Sequence, residues 1–108
     1  MSSQVSIVYQ TWDVWLADVH FEEINQSKKR PVLILNDSTV VVYALKMTSH
    51  DVRTGEYPLK RWKEAGLDRP TVVRIGKKLQ LSSKDMIRKF GQIHPVDRVE
   101  IMKKLKSL

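Results

Sequence analysis

Arg30 is the first residue whose type and setting point to chemistry. It stands in Lys28-Lys29-Arg30-Pro31, directly ahead of the apolar run Val32-Leu33-Ile34-Leu35. Proline fixes its own φ and drives the preceding residue into an extended conformation, which predicts Arg30 at the mouth of a strand. A guanidinium anchored there is a fixed anion fork. It keeps its charge, presents paired planar donors and suits phosphate oxygens better than a mobile lysine does. An ordinary surface arginine opening a strand would look the same. Lys28 and Lys29, two further cations on a predicted flexible loop, tilt the pattern towards a funnel for a nucleic-acid backbone.

Thr48-Ser49-His50 closes the predicted third strand. Threonine and serine at such points commonly bond nearby backbone groups. The same hydroxyl pair could donate to phosphate oxygens, with His50 a proton carrier near neutral pH. Arg74, within Val72-Val73-Arg74-Ile75, either faces solvent or points into a shared anion site, and the adjacent Lys77 and Lys78 strengthen the second option. His20, His50 and His94 show no metal-ligand spacing, and the absence of cysteine removes thiolate metal sites, disulfides and Cys nucleophiles. No metal and no cofactor are expected. Trp12, Trp15 and Trp62 read as core or interface anchors rather than base-stacking platforms.

The elements that must position these residues are short. Asp13–Phe21 alternates loosely and is rich in β formers, followed by a polar loop over 22–29. Runs at 30–35 and 40–47, separated by Asn36-Asp37-Ser38, form the best hairpin. A second polar loop over 48–56 leads to about two predicted helical turns at 58–65, with Gly66 as C-cap. Strands at 71–75 and 78–81 are broken by Gly76, read as a bulge or a close-approach point. Ser82 and Asp85 resemble a capping box and predict a helix through Lys89. Pro95 suits a first helical position, and Val96, Val99, Met102 and Leu105 recur at helical spacing to the end. The fold class predicted is α+β, mainly antiparallel β: a partly open barrel with short helices and a C-terminal helix.

The 108 residues suffice for one domain, 1–108, that folds without staples. The formal net charge of +7 is segregated: residues 1–73 carry nine Lys/Arg against nine Asp/Glu, and residues 74–108 carry ten against three. Such a basic third attracts polyanions, an acidic protein or an anionic surface. No apolar run approaches a membrane-spanning length, and the polar start Met1-Ser2-Ser3-Gln4 does not read as a signal peptide. A soluble, cytoplasmic protein with no membrane partner is expected.

The order of segments resembles the MazF/PemK family of toxin endoribonucleases. The resemblance rests on Asp13-Val14-Trp15-Leu16-Ala17-Asp18, Lys29 to Leu35, Lys46-Met47-Thr48-Ser49, Arg69-Pro70-Thr71-Val72-Val73-Arg74, and Gly91-Gln92-Ile93-His94-Pro95-Val96-Asp97, and covers roughly residues 12–105. It implies an SH3-like barrel that forms a homodimer and binds single-stranded RNA across the interface. It further implies metal-independent cleavage through attack of a 2′-hydroxyl on the neighbouring phosphate, and restraint by a small acidic antitoxin.

On this resemblance Arg30 and Thr48 are the catalytic residues; the neighbouring cations and polar groups read above, Lys28, Lys29, Ser49, His50, Arg74, Lys77 and Lys78, are the expected RNA contacts. The chain departs from the family at Gly76, where some members carry an acid, at Ile24, where some carry a histidine, and at Trp12, where the family has glycine. His50, Glu22 and Glu23 are local substitutes for the missing base. Two rival functions share the fold: a non-catalytic RNA-binding barrel, and a DNA gyrase-inhibiting toxin. The gyrase activity depends on a C-terminal Trp-Gly-Ile, whereas this chain ends Lys106-Ser107-Leu108.

Overall fold

The computed structural model describes residues 9–21, 24–36, 41–48 and 55–107, without the side chains of 21, 41–46 and 48. Among the described residues there are six strands, β1 (Asp13–Phe21), β2 (Gln26–Asn36), β3 (Val41–Thr48), β4 (Glu56–Pro58), β5 (Val72–Ser82) and β6 (Met86–Gln92), followed by one α-helix, α1 (Pro95–Lys106). They form a single sheet in the order β4-β5-β3-β2-β1-β6, with every pairing antiparallel. The sheet does not close; β4 and β6 are its edges.

Strand alternation divides the core in two. Val32 and Ile34 of β2 pack with Trp15, Ala17, Val19 and Leu81, while the intervening Leu33 packs on the other face with Val14, Met47, Val73 and Ile75. The run Val32-Leu33-Ile34 is therefore apolar throughout because both faces of the strand are covered. The second of these faces also receives α1 through Ile101, and the loop after β4 through Leu59 and Ala65.

Several expectations give way to tertiary pairing. β2 starts at Gln26 rather than Arg30, because the polar residues 26–29 complete a ladder with β1, in which Lys29 faces Asp18 and Lys28 faces Val19. The predicted loop there is thus strand. Residues 82–89 do not form a helix. The Ser82 amide and hydroxyl do bond the Asp85 carboxylate at 3.0 and 3.1 Å, but they cap only the 3-10 turn Ser83–Asp85. Met86–Gln92 then becomes β6, since pairing with the open edge of β1 satisfies a whole row of backbone groups that a short helix would leave exposed.

Residues 71–75 and 78–81 belong to one strand, β5. Between the rungs Leu45↔Lys78 and Lys46↔Arg74 the register slips, so Ile75-Gly76-Lys77 is accommodated as a bulge where the glycine suggested one. The expected two-turn helix at 58–65 is a turn with bonds from Ala65 and Leu67 to the Trp62 carbonyl. The predicted turn at 37–38 lies outside the described residues.

The largest revision concerns α1. Of its predicted apolar positions Leu105 packs against the core, whereas Val96, Val99 and Met102 are 45%, 55% and 41% exposed, and the fully buried positions are Asp97 and Ile101. Asp97 is buried because it is fully engaged. Its carboxylate accepts from the Tyr57 hydroxyl at 2.5 Å and from the backbone amides of Lys60 and Arg61 at 3.0 and 2.9 Å. Burial, then the hydrogen bond to Asp97, pushes the Tyr57 phenol well above its ordinary range. Upstream, the His94 ring caps the helix by accepting from the Val96 amide at 3.1 Å. Removing the carboxylate in Asp97→Ala strands three buried or half-buried donors, and is expected to lower unfolding free energy by at least about 3 kcal/mol, read from urea denaturation monitored by circular dichroism.

Candidate nucleic-acid interface

The rungs between β2 and β3 begin at Val32↔Lys46. Pro31, one residue earlier, has no N–H to give, and pairs only with Leu16 of β1. Arg30 and Thr48 each lie two residues beyond that last rung, at the corner where the β2–β3 ladder has stopped. Thr48 itself is paired on its other side with Val72 of β5.

At that corner lies a groove of about 580 Å³. Lys29, Arg30 and Pro31 form part of its lining, with Gly66, Leu67, Asp68, Arg69 and Thr71 from the loop before β5, and Arg88 and Phe90 from β6. The Arg30 guanidinium is steadied by donating from Nη1 to the Lys29 carbonyl at 3.0 Å. Four cations face one acid, Asp68, which is itself paired with Arg69 at 3.2 Å. A polyanion with flat apolar parts matches such a surface better than a neutral or cationic ligand does.

Backbone contact fixes the groove. Gly66 takes a left-handed φ of +86° and leaves no room for a side chain against the Phe90 carbonyl. A Cβ on Gly91 would in turn stand 2.7 Å from the Ala65 carbonyl. The loop is thus pressed on β6 where glycines alone permit it, and the Asp97 bonds to Lys60 and Arg61 hold its other end.

The remaining predicted site residues are distributed more widely. The Arg74 guanidinium is 3.2 Å from the carboxylate of Glu56, its cross-strand partner on β4. Lys78 lines a different concavity, between β5 and α1, together with Trp12, Leu35 and Met102. Lys77 is exposed in the β5 bulge and Lys28 is exposed on β2. Ser49, His50, Glu22 and Glu23 lie outside the described residues. Arg69, Arg88 and Phe90 were missed as site residues. Arg69 fell in a recognised block without drawing attention, Arg88 was hidden by the expected helix at 82–89, and Phe90 follows directly on that helix. Among the described residues no group of three or more His, Asp or Glu side chains could hold a metal ion.

Two features near the start of β1 bear on the departures noted in the sequence. Trp12 occupies a left-handed backbone conformation, φ +79°, so the turn keeps a glycine-like geometry despite the larger residue. Its ring packs against the core and under the Arg98 guanidinium at 5.9 Å, contacts that offset the backbone cost of about 1–2 kcal/mol. Asp13, next in sequence, is wholly buried and ties three segments together. It accepts from the Gln10 amide at 3.0 Å, the Gln92 side chain at 2.8 Å and the Trp15 indole at 3.3 Å, and pairs with Lys89 at 3.2 Å.

Residues 10–108 match the family described as PemK-like, MazF-like toxin of type II toxin-antitoxin system. The chain belongs to this family. Among solved structures the MazF-like chain is similar to the Mycobacterium tuberculosis toxin MazF-mt6, with a TM-score of 0.66 and 21% identity over 88% of this chain and 93% of that one. It is also similar to an endoribonuclease from Mycobacterial species, with a TM-score of 0.75 and 14% identity over 96% and 93% of the two chains. A third, an endoribonuclease in complex with its cognate antitoxin from Mycobacterial species, gives a TM-score of 0.72 at 14% identity, covering 93% of each chain. No curated protein matches. The family is one of RNA-cleaving toxins, and the mainly antiparallel sheet with a C-terminal helix is its fold.

Burial alone would raise the pKa of Asp13, yet the bonds from Gln10, Gln92, Trp15 and Lys89 outweigh it and hold the carboxyl below its ordinary value. A depressed pKa stabilises the fold fully above the unfolded carboxyl pKa of about 4, and that contribution is lost as pH falls through the folded value. Thermal melts from pH 6 to pH 3 should therefore show wild type more stable than Asp13→Asn at the upper end, with the gap narrowing on acidification.

Proposed function

We propose that this chain is the toxin of a type II toxin–antitoxin pair and cleaves single-stranded RNA in the cytoplasm, without a metal ion, leaving a 2′,3′-cyclic phosphate. The observation that carries the reading is the cationic groove that Lys29, Arg30, Arg69 and Arg88 line at the corner where the β2–β3 ladder stops. In such a reaction the nucleophile is part of the substrate. The protein must therefore bend the backbone into line and stabilise the charge that builds on the phosphoryl oxygens. Arg30, fixed by Pro31 and the Lys29 carbonyl, is the group for that charge and for protonating the departing 5′-oxygen. Thr48 orients the phosphate. Lys28, Lys29, Ser49, His50, Arg74, Lys77 and Lys78 are proposed as the wider RNA contacts, and an unpaired strand suits the groove because its backbone bends freely.

The partners follow the same logic. A solved relative is described as bound to its cognate antitoxin; here a small acidic antitoxin whose tail fills the basic groove is proposed. A second copy of this chain is proposed to cover the outward row of Val96, Val99 and Met102, of which Val99 and Met102 line a hollow with Trp12.

Incubation of purified protein with mixed RNA in excess chelator tests the chemistry. Wild type should yield 5′-hydroxyl and 2′,3′-cyclic phosphate ends, and Arg30→Ala should slow cleavage at least about 100-fold; equal rates for both proteins would discard the assignment. The dimer is tested separately by Val99→Glu. Analytical ultracentrifugation at micromolar concentration should find wild type as a dimer and the variant as a monomer.

A further inference from the structure

The groove that contains Arg30 also contains a pair of side chains the cleavage chemistry leaves unused. The Arg88 guanidinium lies 4.6 Å from the centre of the Phe90 ring, within cation–π distance. Phe90 is half-buried and packs against the first core, so its ring is a fixed support. Arg88 is exposed, and no carboxylate among the described residues pairs with it; Asp68, the acid of the groove, is engaged by Arg69. One face of the guanidinium therefore rests on an aromatic ring while the other is open. Charge alone would serve an acidic peptide or inorganic phosphate equally well. A flat cation backed by an aromatic ring adds a surface on which a nucleobase stacks.

We propose that Arg88, laid on Phe90, is a stacking platform for one unpaired base of an RNA strand whose backbone runs past Arg30, with Lys29 and Arg69 flanking its phosphates. The proposal rests on the ribonuclease reading and deepens it by assigning a base subsite. Because every base presents a π-face, the platform tolerates any base and favours the larger purines.

A single-stranded 2′-O-methyl oligonucleotide, which lacks the attacking hydroxyl, carries 2-aminopurine scanned through successive positions. On wild type, one position should show quenched fluorescence. Arg88→Ala should abolish that quench and weaken binding about tenfold. Arg88→Lys keeps the charge and removes the plane, so the quench should stay lost. Phe90→Leu, which keeps the apolar packing, should diminish it. Full quench and wild-type affinity in Arg88→Lys would overturn the platform and reduce Arg88 to a charge; the ribonuclease reading is tested apart from it, by wild type and Arg30→Ala on unmodified RNA. A wild-type protein that neither binds the oligonucleotide nor cleaves RNA would remove platform and ribonuclease reading together.

Discussion

The groove exists because one buried carboxylate is placed where three donors need it. Asp97 leaves the first turn of α1 and meets the Tyr57 hydroxyl and the Lys60 and Arg61 amides. A charge in that setting is tolerated only when its lone pairs are used, and here they are. The consequence is mechanical: the long connection between β4 and β5 is pinned at its start by the helix and at Gly66 by β6. Arg69 and Leu67 are thereby presented to the groove from a segment that has no helix or strand of its own.

The sheet divides its labour between faces. Its apolar rows are spent on two cores separated by the thickness of a single strand, and the charges its strands expose are mostly cations, Lys28, Lys29, Lys77, Lys78, Arg88 and Lys89 against Asp18. Asp13 performs at the start of β1 what Asp97 performs at the helix, joining the turn before β1 to both Gln92 and Lys89 of β6. With β6 held there, Arg88 and Phe90 of the same strand are carried to the groove wall. The basic last third of the chain thus contributes to the groove through β6, whereas its most concentrated lysines, Lys103, Lys104 and Lys106, lie in the last turn of α1.

What could be seen in advance depended on how local the determining force was. β1, β3, the helix start at Pro95 and the break at Gly76 were legible because alternation, a ring-fixed φ and a missing side chain act within a few residues. The capping residues at Ser82 and Asp85 were also read correctly, yet the helix inferred from them was wrong. A cap says where a turn begins; it does not say whether a neighbouring strand offers the next seven residues more hydrogen bonds. The seating of α1 was not legible for a related reason. Periodicity finds an apolar stripe, but which stripe turns inward was decided by the partners waiting for Asp97, forty residues away from Tyr57 in sequence. Of the site, Lys29 and Arg30 emerged from the motif and are found in the groove, whereas Arg88 and Phe90 were invisible until β6 was a strand.

Pro31 has a consequence beyond its neighbour's φ. Pro31 cannot donate to a ladder, and from it back to Gln26 β2 is unpaired with β3 while it stays fastened to β1. The cleft beside Arg30 is in this sense written into the covalent chain. It requires no hinge and no lid to form: the aperture is already open when the polypeptide finishes folding.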